Sequence, residues 1–143
     1  MDLLERARTL ATCPLFESLA PAVLIRLAER ARTSELVRGE RRTTEESVWV
    51  VAAGSLAVVV HEAGVDMTAS VIRKRGAPAL PGNALGMIRV VRAATPIVEV
   101  IADEPSILVG LGIDDVRDVL EEDPAALTAL AERLAKLLLD EAQ

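Results

Sequence analysis

The sequence predicts a mixed β and α fold: an antiparallel β-roll, jelly-roll-like in character, flanked by N- and C-terminal helices. Three observations carry that prediction. Apolar residues recur at helical spacing before residue 36 and after residue 112. Between them, residues 37–111 break into short β-branched runs separated by Gly, Pro and charged residues. No internal repeat or low-complexity linker interrupts the chain, and 143 residues with 51% apolar content suit one domain over 1–143. The expected division is N-terminal helices over 1–36, a roll over 37–111 and C-terminal helices over 112–143.

Leu3, Leu4, Ala7 and Leu10 indicate a first short helix, which Pro14 ends. Pro21 suits a first helical position, and Val23, Leu24, Leu27, Ala28 and Ala31 then form an amphipathic stripe. Strands are expected near Ser47 to Ala52, Leu56 to Val60, Met67 to Arg73, Arg89 to Arg92, Ile97 to Ala102 and Ile107 to Leu111. Gly54 and Gly64 mark turns, and Gly76 to Gly82 marks a longer loop. Asp114 can cap a short helix carrying Ile113, Val116 and Leu120; Asp123 followed by Pro124 opens the last one. That helix spaces Leu127, Leu130, Leu134 and Leu137 by threes and fours, a seam that either packs on the roll or pairs with a second copy.

Composition removes several classes of function. Cys13 and His61 are each the only residue of their type, which leaves no intrachain disulfide and none of the usual zinc ligand sets. No nucleophile motif accompanies His61, so an enzyme is not expected. The start MDLLERARTL lacks the apolar core of a secretory signal, and the longest apolar stretch, Val48 to Val60, is too short to cross a membrane. A cytoplasmic protein is expected. Residues 99–143 hold 12 acidic and 3 basic side chains, and with no basic recognition helix or DNA-reading segment after the last helix, nucleic-acid binding is disfavoured. The clusters Arg38, Arg41, Arg42 and Arg73, Lys74, Arg75 are either solvated strand ends or local anion patches.

Several segments, in order, carry a resemblance. They are Leu15-Phe16-Glu17-Ser18-Leu19 ahead of a helix, Gly39-Glu40, the run from Trp49 to Val58 with its turn Gly54, Pro81-Gly82-Asn83-Ala84-Leu85-Gly86, and Arg92-Ala93-Ala94-Thr95. Their sequence and spacing resemble the cyclic nucleotide-binding domain family, which includes bacterial catabolite-activator regulators and regulatory subunits of cyclic-AMP-dependent protein kinase. The likeness runs from about Pro14 to Leu138 and implies a phosphate-binding cassette between Gly86 and Thr95. By that resemblance Arg92 would meet the cyclic phosphate through paired hydrogen bonds, and the N–H groups of Gly86, Met87 and Ala93 would complete the anion site, with Ala94 and Thr95 closing it. The ligand would be cyclic AMP or cyclic GMP; no other cofactor is implied. Read from the residues alone, Arg92 could equally pair with a carboxylate such as Glu99.

The chain departs from the family pattern at two points in the cassette. Met87 stands where the family places a glutamate that accepts a hydrogen bond from the ribose hydroxyl, and only five residues separate Gly86 from Arg92. A further shortening leaves eight residues between Glu40 and Trp49. These departures point to a degenerate regulatory or interaction domain with weak or lost nucleotide affinity, the alternative being a working sensor with an altered cassette. A protein partner or a homodimer through the last helix is the expected kind of assembly.

Overall fold

A computed structural model describes residues 1–61, 73–75, 79–86 and 97–141. Two helices, α1 (Leu3–Thr12) and α2 (Pro21–Arg30), precede the strands β1 (Arg32–Leu36), β2 (Arg41–Thr43), β3 (Ser47–Ala53), β4 (Leu56–His61), β5 (Arg73–Arg75), β6 (Ala84–Leu85), β7 (Val98–Ala102) and β8 (Ser106–Gly112). Two more helices, α3 (Ile113–Glu121) and α4 (Pro124–Glu141), follow. The strands form two four-stranded antiparallel sheets, ordered β1-β8-β3-β6 and β2-β7-β4-β5. Among the described residues no helix is long and apolar enough to cross a membrane.

Alternation along β3 and β8 builds two apolar layers at once. Val48, Val50, Val109 and Leu111 face the helices, where they meet Leu10, Phe16, Leu27, Val116, Leu120 and Leu130. Trp49, Val51 and Leu108 point the other way and meet Leu56, Val58, Val100 and Ala102 of the second sheet. The period of two therefore makes one pair of strands serve as the wall between both cores. That is why the central strands read as nearly continuous apolar runs.

The roll begins earlier than residue 37, because β1 starts at Arg32. Its sequence Arg-Thr-Ser-Glu-Leu carries no apolar alternation: among the described residues β1 is an edge strand paired to β8 alone, so a polar composition is tolerated. The expected runs Met67 to Arg73 and Arg89 to Arg92 lie outside the described residues, except Arg73, which opens β5. Asp114 does not cap α3. β8 continues to Gly112, the Ile113 N–H donates to the Glu46 carbonyl, and the helix starts there; Asp114 and Asp115 sit in its first turn, where the helix dipole favours them. Asp123 does cap α4, its Oδ1 accepting from the Ala126 N–H at 3.2 Å. In α1, Asp2 and Glu5 form a capping box, Ala7 and Leu10 are buried, and Leu3 and Leu4 are exposed.

The acidic C-terminal half is matched by arginines from the N-terminal half. Arg30 of α2 lies 3.6 Å from Asp115 and 3.5 Å from Asp118, and Arg26 pairs with Glu122. In the opposite sense Arg133 of α4 reaches Glu17 at 2.7 Å and donates to the Pro14 carbonyl at 3.1 Å. These partly exposed pairs contribute little each, about 0–1 kcal/mol, but they join α2 to α3 and α4 to the turn before α2. Cys13 lies in that turn, buried; burial raises its thiol pKa, with N–H hydrogen bonds from Leu15 and Phe16 acting in the opposite direction.

Candidate functional site

The segment leading into the expected cassette is held in register by the backbone. Gly82 N–H donates to Val51 O at 2.9 Å, Val51 N–H to Asn83 O at 3.0 Å, and the Asn83 side chain accepts from Leu80 N–H at 2.8 Å. β6 then pairs with β3, Ala84 opposite Val50 and Leu85 opposite Trp49. Gly86 follows with φ +89°. Met87, Arg92, Ala93, Ala94 and Thr95 lie outside the described residues, and the chain is described again from Ile97, with β7 beginning at Val98.

Both flanks of that interval meet at Thr44, which is 1% exposed. Thr44 N–H donates to Val98 O at 2.9 Å, and Val98 N–H donates to Thr44 Oγ1 at 3.0 Å. On the other flank, a Cβ at Gly86 would stand 2.9 Å from Thr44 Cβ, 3.0 Å from its Cγ2 and 3.3 Å from Ser47 O. Gly86 is thus required twice by the protein itself, for its left-handed backbone and for its approach to Thr44. This contact with Thr44 accounts for the glycine without a ligand.

A cross-strand row lies beside Thr44. Arg32, Gly110, Trp49 and Leu85 are successive partners across β1, β8, β3 and β6. The Trp49 indole N–H donates to Thr43 O at 2.8 Å, bridging from one sheet to the last residue of β2 in the other. Arg32 stacks over the ring at 5.0 Å and donates to Ser47 Oγ at 2.7 Å. Composition and spacing gave no sign of Thr44 or of this row, because each contact joins residues from different strands and β2 is a three-residue polar strand with no period.

The basic residues near the site have partners within the roll. Arg41 donates to Glu99 at 3.1 Å, a carboxylate that is nearly buried, and Arg42 donates to Ser34 Oγ at 3.1 Å and to Arg41 O at 2.8 Å. Both bind strands together, so the strand-end reading fits Arg41 and Arg42 better than an anion patch. Clefts lined by described residues include these two. One, of about 580 Å³, lies between Arg32, Glu46 and Ser47 and the start of α3; the other, of about 320 Å³, lies between Arg8 and Thr12 of α1 and the Pro81-Gly82 turn.

Comparison with solved structures places this architecture. The sensor domain of the transcriptional regulator DNR from Pseudomonas aeruginosa superposes with a TM-score of 0.73 at 16% identity, over 98% of this chain and 93% of that one. A cyclic nucleotide-binding-like protein from Brucella abortus gives 0.61 at 24% identity, over 82% of this chain and 98% of that one. The fold is that of the cyclic nucleotide-binding domains. A third structure with this fold, the regulatory domain of Toxoplasma gondii protein kinase A with cyclic AMP, gives 0.64 at 14% identity, over 86% of this chain and 49% of that one. No family model matches the sequence, and no curated protein matches it. The cyclic nucleotide-binding fold is therefore carried here by a sequence only 14–24% identical to these three structures.

Proposed function

We propose that this chain is a non-enzymatic regulatory or interaction domain that keeps the cyclic nucleotide-binding roll and has weak or no affinity for cyclic AMP and cyclic GMP. The observation that carries the reading is the short interval after Gly86, with Met87 in the position of the ribose-binding glutamate and five residues before Arg92. A thioether is a poor hydrogen-bond acceptor, and a ribose hydroxyl left unpaired costs about 1–3 kcal/mol. Each N–H bond to a charged phosphate lost from a shortened cassette costs about 1.5–3 kcal/mol more. Since about 1.4 kcal/mol is a factor of ten, a micromolar site falls to millimolar or weaker. The glycine before Met87 does not argue for a ligand, because its contacts with Thr44 and Ser47 account for it. The regulatory role follows the kinds of protein that share the fold, a transcriptional sensor and a kinase regulatory domain.

Calorimetric titration with cyclic AMP and cyclic GMP tests this, with Arg92→Ala as control. The expected result is no saturable binding below about millimolar concentration. Micromolar binding that disappears in Arg92→Ala would overturn the reading in favour of a working sensor.

A further inference from the structure

We infer that β2 is a closed edge of the roll: side chains occupy the outward backbone acceptors of this strand, and Arg42 is the residue that keeps a strand of another chain from pairing there. An edge strand with bare N–H and C=O groups is a template for such pairing. β2 pairs with β7 through Arg41 and Ile101, Arg42 and Val100, and Thr43 and Glu99, and among the described residues no strand flanks its other side. At the two ends of that register the Ala102 N–H donates to Glu40 O and the Thr44 N–H donates to Val98 O, both at 2.9 Å. Backbone groups alternate in an antiparallel pair, so residues 40, 42 and 44 turn theirs toward β7, and Arg41 and Thr43 turn theirs away. Both outward carbonyls are taken. Arg41 O accepts from Arg42 Nη1 at 2.8 Å, and Thr43 O accepts from the Trp49 indole N–H at 2.8 Å.

Arg42 reaches its position from the inner face of β2, because it stands opposite Val100 of the apolar layer between the sheets. Its Nε donates to Ser34 Oγ at 3.1 Å, which ties β2 to the edge strand β1 of the other sheet, and its Nη1 lies 3.9 Å from Glu40 Oε2. An inward-pointing charge of this kind blunts an edge. A strand adding to β2 needs Arg41 O and Thr43 O as acceptors, and gains them only by displacing a guanidinium and an indole. The indole is buried in the core, whereas Arg42 is partly exposed at the rim, so replacing Arg42 is the change that opens the edge.

The test compares the wild type with Arg42→Met, which keeps an unbranched side chain and removes every donor, and with Ser34→Ala, which removes the Nε anchor alone. Sedimentation velocity over a concentration series reads association, and amide hydrogen exchange on the same intact chains reads where it occurs. In the wild type the Arg41 and Thr43 amides are expected to exchange at least about tenfold faster than those of Arg42 and Thr44. Arg42→Met is expected to stay folded by circular dichroism and to associate at concentrations about tenfold below those the wild type needs, the factor that one hydrogen bond gained with another chain supplies. At those concentrations its Arg41 and Thr43 amides become protected. Ser34→Ala should move association in the same direction by about a few-fold. A folded Arg42→Met that associates no more than the wild type overturns the inference. So does association without new protection at Arg41 and Thr43, which places the contact on another surface, and so does equal exchange of the four β2 amides in the wild type. If Arg42→Met does not fold, Ser34→Ala decides alone, and association equal to the wild type in that variant overturns the inference.

Discussion

Replacing Leu130 and Leu134 together with Asp is expected to abolish the folded state. Leu130 is 0% exposed and Leu134 7%, and both belong to the layer between the helices and the outer face of β3 and β8. Truncating one buried leucine costs about 2–5 kcal/mol through lost transfer and residual cavity. An ionised carboxylate placed there without a partner adds several kcal/mol more. Two such sites exceed the roughly 5–15 kcal/mol that holds a domain together. Circular dichroism should show loss of helix and no cooperative thermal transition. Leu127 gives the contrast: at 38% exposure its replacement by Asp should leave the transition within about 0.5 kcal/mol of the wild type. A folded double variant that merely changes its sedimentation coefficient would show that the seam holds two chains together instead. Leu130 and Leu134 are committed to the core, and among the side chains of α4 that are described, Leu127 and Leu139 are the exposed leucines that a homodimer through this helix would use.

How far the sequence could be read depended on the range of each interaction. Phe16 and Leu19 before α2, and the stripe Val23, Leu27 and Ala28, were legible because local spacing sets a helix face, and all of them are buried. The central strands were legible because β-branched runs bounded by Gly54 and Pro81 leave few alternatives. β1, β2 and β6 were not. They have five, three and two residues, and their strand character comes from partners far along the chain. The order of the segments quoted for the candidate site could be read from the sequence, while Met87, Arg92, Ala93, Ala94 and Thr95 lie outside the described residues. The contacts of Thr44 with Val98 and Gly86 could not be read, because no local pattern announces contacts at such separations. The acidic excess after residue 99 was visible in composition, yet its pairing with Arg26, Arg30 and Arg41 required the fold.

Gly110→Ala is expected to destabilise the roll by about 1–3 kcal/mol, a large effect for one methyl group. The sequence gives no reason for a glycine in the middle of β8, where it weakens strand propensity. The cross-strand row supplies one. Gly110 stands between Arg32 on β1 and Trp49 on β3, and the lack of a side chain lets the guanidinium and the indole meet across it at 5.0 Å. A Cβ there would lie 2.4 Å from Trp49 Cζ3, 2.9 Å from Cε3 and 3.0 Å from Cη2. The ring cannot simply retreat, since it is 4% exposed and its N–H is held by Thr43 O. The alanine methyl must therefore push the indole from its rotamer, lengthen that hydrogen bond, or part the Arg32 stack, which contributes about 0.5–1 kcal/mol at an exposed edge. Urea unfolding followed by the fluorescence of the lone tryptophan reads both consequences at once: a lower midpoint with unchanged slope, and a shifted native emission. Coupling identifies the cause. In a Trp49→Leu background the same Gly110→Ala change should cost at least about 1 kcal/mol less, because the clashing ring is gone. Equal costs in both backgrounds would show that the glycine serves the strand backbone and not the indole.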